Sequence, residues 1–218
     1  MGQRSQIYVR YSPDDARNEK PRKKRLVASY FQWNYGERMI SRARYTLDWL
    51  RANRKYMWLD SEERLRRIVE TNFDYVDVVL SSNIAKDFEK YANKDETFRD
   101  FAFFGQDNND GILLIDVPKG RRKMKYAFLG YDFETTRKVL DGEDYMRWDR
   151  SCDEDGTDWR DDKYIKGFVK KTERNIRRIS NVARLMTPEE VDEFMSYDYE
   201  RDMNLKKKDD DSEELPFL

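Results

Sequence analysis

Few aliphatic side chains are available to build an interior, and that limits this chain more than any other feature. Leu, Ile, Val and Phe number 46 of 218 residues, about 21%, close to the level at which strongly charged chains stay unfolded. The net charge is only −1, however, and 31 aromatic residues supply a large apolar area per side chain. The chain is therefore expected to fold around a small, aromatic-rich core beneath a heavily charged surface. Its length suits one domain of ordinary size.

Charge is unevenly distributed. Residues 1–60 carry 14 basic and 6 acidic side chains, a surplus of +8, and residues 185–218 carry 4 basic and 12 acidic ones, a deficit of −8. Segregation of this kind points to charged partners more than to chemistry. Cys152 is the sole cysteine, which excludes an intrachain disulfide and fits a reducing compartment. The opening Met1-Gly2-Gln3-Arg4-Ser5-Gln6 has no apolar stretch of the signal-peptide kind, and Gln6 stands where myristoylation needs Ser or Thr. No apolar run approaches the roughly 20 residues of a membrane span. A cytoplasmic protein without membrane contact is expected.

Gln6-Ile7-Tyr8-Val9-Arg10-Tyr11 alternates as a strand, and Leu26 to Tyr35 reads as its antiparallel partner across a basic loop. Gly36 breaks that strand. From Glu37 the apolar period becomes helical, through Met39, Ile40, Ala43, Leu47 and Leu50. Asp60 and Glu63 fit a capping box for a second helix, with Leu65, Ile68 and Val69 inward. Tyr75 to Leu80 fits strand or buried helix equally, and Ile84 to Tyr91 reads as helix. Ile112 to Val117 and Lys125 to Leu129 form a second hairpin, followed by a short helix from Phe133 to Leu140. Residues 141–162, with ten acids and three arginines, read as an acidic loop. Ile165, Phe168, Val169, Thr172, Ile176, Ile179, Ala183 and Met186 keep helical spacing over six turns, and Thr187-Pro188-Glu189-Glu190 starts a further helix. The expected fold class is α+β: a small antiparallel sheet of two hairpins packed by several helices. Residues 1–200 are expected to form a single domain and 201–218 a flexible, disordered acidic tail.

Arg4-Ser5-Gln6-Ile7-Tyr8-Val9-Arg10-Tyr11, with Tyr30-Phe31-Gln32-Trp33-Asn34-Tyr35-Gly36-Glu37-Arg38-Met39-Ile40-Ser41-Arg42-Ala43, resembles an uncharacterised family of small phage and prophage proteins of Gram-positive bacteria. The resemblance covers about the first 55 residues well and implies a phage accessory gene in an infected bacterial host, with no mechanism attached. Accessory proteins of this size often bind and redirect a host protein, defence machinery included, which is an analogy of context. The tail Asp209-Asp210-Asp211-Ser212-Glu213-Glu214-Leu215-Pro216-Phe217-Leu218 looks like the C-terminal tip of bacterial single-stranded DNA-binding proteins. In such tips the aspartates meet basic patches and the Pro-Phe end fills an apolar pocket. Leu218 after Phe217 departs from that pattern.

Histidine is absent, which excludes Ser-His and Cys-His nucleophile systems and imidazole-bound zinc. No phosphate-cradling glycine loop occurs. Asp153-Glu154-Asp155-Gly156-Thr157-Asp158 is oxygen-rich but fails as an EF-hand, its glycine falling fourth where the sixth is needed and Tyr164 standing where the bidentate Glu belongs. Asp107 to Gly111 fails on the same test and reads as a turn. No metal, cofactor or catalytic residue is assigned, and an enzyme is not the favoured reading.

Three functional readings remain open. In the first the chain is a non-enzymatic phage accessory protein that binds a host protein in takeover or counter-defence. Trp148, Asp153, Asp155, Asp158, Trp159 and Phe217 then form the partner surface, as aromatic anchors within charge. In the second it binds single-stranded nucleic acid in phage DNA metabolism. Lys166, Lys170, Lys171, Arg174, Arg177 and Arg178 then meet phosphates, and Tyr8, Tyr30, Trp33 and Tyr35 stack bases. The competing account is that this basic helix faces the chain's own acids. In the third, Gln32, Asn34 and Glu37 line a pocket for a nucleotide or small molecule, as a sponge or an enzyme, with the amides at Gly36 turned to an anion.

Overall fold

Strands can bury both faces at once only if helices lie on each side of them, and the burial of residues 5–11 and 112–117 demands that arrangement. The computed structural model describes residues 3–13, 23–56, 61–75, 80–120, 122–150 and 158–207. β1 (Arg4–Tyr11) pairs antiparallel with β2 (Arg25–Gln32), in register from Arg4↔Gln32 to Tyr11↔Arg25. β4 (Ile112–Val117) pairs antiparallel with β5 (Met124–Leu129). The two expected hairpins are therefore present, and they join through a parallel β1–β4 ladder. β3 (Leu80–Asn83) and β6 (Ala183–Leu185) extend the edges, giving a six-stranded mixed sheet of order β3-β2-β1-β4-β5-β6.

Alternate side chains enter two separate cores. Ile7, Val9 and Tyr11 of β1 and Leu113, Ile115 and Val117 of β4 face one side. That side is covered by α1 (Gly36–Asn53), α2 (Ser61–Glu70), α5 (Gly142–Asp149) and α6 (Val169–Val182). Tyr8, Ile112 and Leu114 face the other side, beneath α3 (Ile84–Tyr91), an irregular helical turn at Asp100–Phe104, α7 (Pro188–Met195) and α8 (Tyr199–Met203). This second core is aromatic: Phe88 meets Phe98 and Phe101 edge-on at 5.3 and 5.6 Å, and Tyr8 meets Phe103 at 4.4 Å. The parallel pairing missed by sequence joins the two hairpins at the centre of the sheet, where β1 and β4 are covered on both faces although β1 carries the buried polar side chains Ser5, Gln6 and Arg10.

Four other expectations are corrected. β2 ends at Gln32, short of Tyr35. The helix from Phe133 stops at Thr136 as α4, closed by Arg137 in the left-handed region, and Leu140 instead bridges Phe128 of β5. The acidic stretch contains α5, whose amides at Glu143 and Asp144 are capped by the Asp141 carboxylate at 2.8 and 2.9 Å, with Tyr145 and Met146 buried. The six-turn helix begins only at Val169, and its last residues, from Ala183, leave it to pair with β5. The capping box at Thr187 and Glu190 forms as expected. Past position 201 the chain completes α8, where Asp202 is buried and accepts from the Lys24 amide at 2.8 Å. Residues 208–218, Phe217 among them, lie outside the described residues.

Two buried arginines pin the layers. Arg10 of β1 lies opposite Asp116 of β4 and donates from Nε to its Oδ1 at 2.9 Å, while Nη2 reaches Glu193 of α7 at 2.8 Å. Burial opposes this charge, and the two carboxylates outweigh it and hold the guanidinium above its ordinary pKa. Arg42 of α1 is buried with neutral acceptors instead: Asn34 Oδ1 at 2.7 Å, the Val69 and Thr71 carbonyls at 2.7 and 3.0 Å, and Asn72 Oδ1 at 2.6 Å. Replacing Arg10 by Met should leave Asp116 buried with only the more distant Lys125, at 3.7 Å, as a cation. A loss of about 3 kcal/mol is expected from the midpoint of urea unfolding, partly recovered in Arg10→Met with Asp116→Asn.

Candidate aromatic cleft

The turn from β2 into α1 builds one wall of a surface cleft. Asn34, in that turn, is fully buried: its amide donates to Ser5 Oγ at 2.9 Å and its carbonyl oxygen Oδ1 receives Arg42. Gly36 then opens α1 at φ +48, and a Cβ there would stand 2.8 Å from Asp149 Oδ2, so the position needs glycine. The Gly36 amide donates to Asp149 Oδ1 at 3.1 Å. The helix start that sequence offered to an external anion is thus met by the protein's own carboxylate.

Above this turn lies a cleft of about 590 Å³, within the range of small-molecule sites. Tyr35, Tyr75, Tyr164 and Phe168 give it aromatic walls, with Arg38, Arg150, Glu37, Asp74 and Gln3 between them. The Tyr75 and Phe168 rings lie 5.0 Å apart, and the Arg38 guanidinium stacks 5.2 Å from Tyr35 and 5.6 Å from Tyr75. Tyr164 is 76% exposed, with the Lys163 ammonium 4.9 Å from its ring centroid.

The charges of the cleft are mutually held. Arg150 pairs with Glu37, with Asp149 at 3.4 Å and with Asp162 at 3.3 Å. Asp74 accepts from Ser41 Oγ at 2.6 Å and faces Lys171 at 3.4 Å. Burial opposes its charge, and these partners overcome it, holding the carboxyl below its ordinary pKa. Beneath the cleft, burial pushes Asp149 up to about 7, against the pull of Arg150 and the Gly36 amide. Asp110 is pushed by burial to about 6, and its Oδ2 has no hydrogen-bond partner.

The sequence-derived residues scatter around this geometry. Of the three pocket residues, Glu37 lines the cleft, Asn34 is a core side chain, and Gln32 ends β2 away from the lining. Of the six cations, Lys166, Lys170, Arg174 and Arg177 are exposed, with no ion pair to a carboxylate among the described residues, whereas Lys171 pairs with Asp74 and Arg178 with Asp48 at 2.8 Å. Among the expected stacking residues Tyr35 lines the cleft. Tyr8 is buried and donates to the Ala102 carbonyl, Tyr30 is half-buried, and Trp33 is exposed.

The partner surface expected near the acidic stretch is corrected in part. Trp159 is fully buried in the core on the cleft side of the sheet and donates from Nε1 to Glu143 of α5 at 3.0 Å. Trp148 is half-buried, 5.9 Å from Tyr145 and 5.8 Å from the exposed Tyr131. Asp158 is bound by Arg160, which also takes Glu143 at 2.9 Å and Glu173 at 2.7 Å, so these three carboxylates are held together by one guanidinium. Asp153 and Asp155 lie outside the described residues. Among the described residues no set of three acidic, Cys or His side chains could hold a metal, and no helix is long and apolar enough to cross a membrane.

Sequence reasoning missed Arg38, Asp74, Tyr75, Arg150, Tyr164 and Phe168 as one site. No protein-family model, curated protein or solved structure matches this chain.

Asp149 and Asp110 make stability depend on pH in a stated direction. Folded, they hold their protons up to about 7 and about 6, against near 4 when unfolded. Their contribution is therefore complete below about pH 4 and lost as pH rises through 6 and 7. No histidine titrates in that window. Tm should fall by several degrees between about pH 5 and pH 8. Asp149→Asn, which keeps the acceptor for the Gly36 amide, should remove most of that fall in thermal scans.

Proposed function

We propose that the chain binds single-stranded nucleic acid, with a base held in the aromatic cleft and the following phosphates met by the outer face of α6. The observation that carries this reading is one continuous segment. Residues 164–177 supply Tyr164 and Phe168 to the cleft, and Lys166, Lys170, Arg174 and Arg177 as exposed cations without a carboxylate partner among the described residues. Stacking surfaces beside a row of cations are what a flexible polyanion of planar bases requires, whatever its sequence. Arg38, 5.2 Å from the Tyr35 ring and 5.6 Å from the Tyr75 ring, adds guanidinium donors at the cleft for a base edge or a phosphate.

The neutralised carboxylates favour this reading over a binding site for cations. Glu37 and Asp74 are already paired, so the cleft offers faces and guanidinium planes more than unscreened negative charge. In this reading the protein is non-enzymatic. The phage setting that the N-terminal resemblance implies would place it in phage DNA metabolism. Recruitment of a host protein has less support, since Trp159, the expected anchor, belongs to the core and Asp158 is engaged by Arg160.

Affinity for an oligothymidylate, measured by fluorescence anisotropy, should fall with a log–log salt slope of about −3 if the four exposed cations each meet a phosphate. Lys170→Glu with Arg174→Glu and Arg177→Glu should abolish most binding at low salt without moving Tm. Tyr164→Ala should weaken it roughly tenfold. Absence of any binding at low ionic strength would refute the proposal.

A further inference from the structure

We infer that Trp33 is a second base-stacking platform, placed outside the cleft to receive the nucleotide next to the one the cleft holds; this rests on the reading of the cleft given above. Trp33 adopts φ 66, in the left-handed region that bulky residues avoid. It is nevertheless 47% exposed and belongs to neither core, so the strain does not serve to bring its indole inside. Single exposed aromatics are ordinary, and a tryptophan held in an unfavourable backbone conformation while remaining on the surface is not.

The surrounding structure fixes that conformation from both sides. The Trp33 amide donates to the Gln3 carbonyl at 2.8 Å, and its carbonyl accepts from Arg38 Nη1 at 3.3 Å. Gln3 and Arg38 both line the cleft. The next residue, Asn34, is locked between Ser5 and Arg42, so the turn cannot relax by rotating as a unit. The backbone bearing the indole is thus part of the cleft rim. A glycine would adopt the same turn without strain and would offer no ring.

That difference separates function from fold in one substitution. Trp33→Gly should raise Tm, leave affinity for thymidine monophosphate unchanged, and weaken binding of an oligothymidylate of about eight nucleotides roughly tenfold. Trp33→Phe should retain oligomer affinity within about twofold and lose the part of the tryptophan quenching that oligomer binding produces. If Trp33→Gly binds the oligomer as tightly as the unaltered protein while Tyr164→Ala binds it weakly, the assignment of Trp33 falls and the cleft stands. Equal weakening for monophosphate and oligomer would also overturn it, by placing Trp33 within the first site. A lower Tm in Trp33→Gly would overturn the strain argument. If the unaltered protein binds neither probe, the cleft reading fails and takes this inference with it.

Discussion

The architecture on the cleft side of the sheet depends on one buried cation. Arg42 is 2% exposed, and its guanidinium meets carbonyl and carboxamide oxygens, with the Phe31 ring 4.7 Å away. Burial lowers its pKa to about 10, which still leaves it charged at neutral pH. Such a group is tolerable only because its fork of donors is satisfied, and two of the acceptors are carbonyls at the end of α2, where the helix dipole is negative. The same fork grips Asn34 in the β2–α1 turn and Asn72 beyond α2. It therefore sets the distance between the turn that carries Tyr35 and the loop that carries Asp74 and Tyr75. The cleft is the space left between those two segments and the start of α6.

The two oppositely charged ends of the chain meet at one carboxylate. Arg10 and Lys24, from the basic N-terminal part, meet Glu193, and the Lys24 amide meets Asp202. Lys125 and Arg184 share Glu190, whose carboxyl is held down at about 2, chiefly by Arg184. What distinguishes α6 is that three of its cations, Lys170, Arg174 and Arg177, and Lys166 just before it, are left out of such pairing among the described residues.

Much of the fold was legible because it is local. The hairpins, α1, α3 and the Thr187 cap each rest on side chains within a few turns of one another. The parallel β1–β4 ladder was not, since it joins residues more than a hundred positions apart and leaves no spacing signal. Helix α5 was hidden by composition: its acids read as loop, yet they crowd the helix's first turn and cap its amides. The site was less legible still. Glu37 and Tyr35 were within reach because they share a turn with Gly36, while Asp74, Arg150 and Tyr164 come from three further segments that only packing brings together. Trp159 misled because an aromatic among charges looks like an anchor, and only its burial reveals a core residue.

The joining of two hairpins by a central parallel ladder also sets an order of assembly. β1–β2 and β4–β5 close over short spans, whereas Arg10 and Asp116 must meet across 106 positions. Contacts of that separation form late, because loop closure costs entropy before the ladder repays it. Until then each hairpin presents an apolar central strand, β1 or β4, as an open edge, which is the kind of surface that pairs with other chains. Folding of this protein should accordingly be slow for its size and sensitive to concentration, with the Arg10–Asp116 contact deciding whether the two halves of the sheet join in the right register.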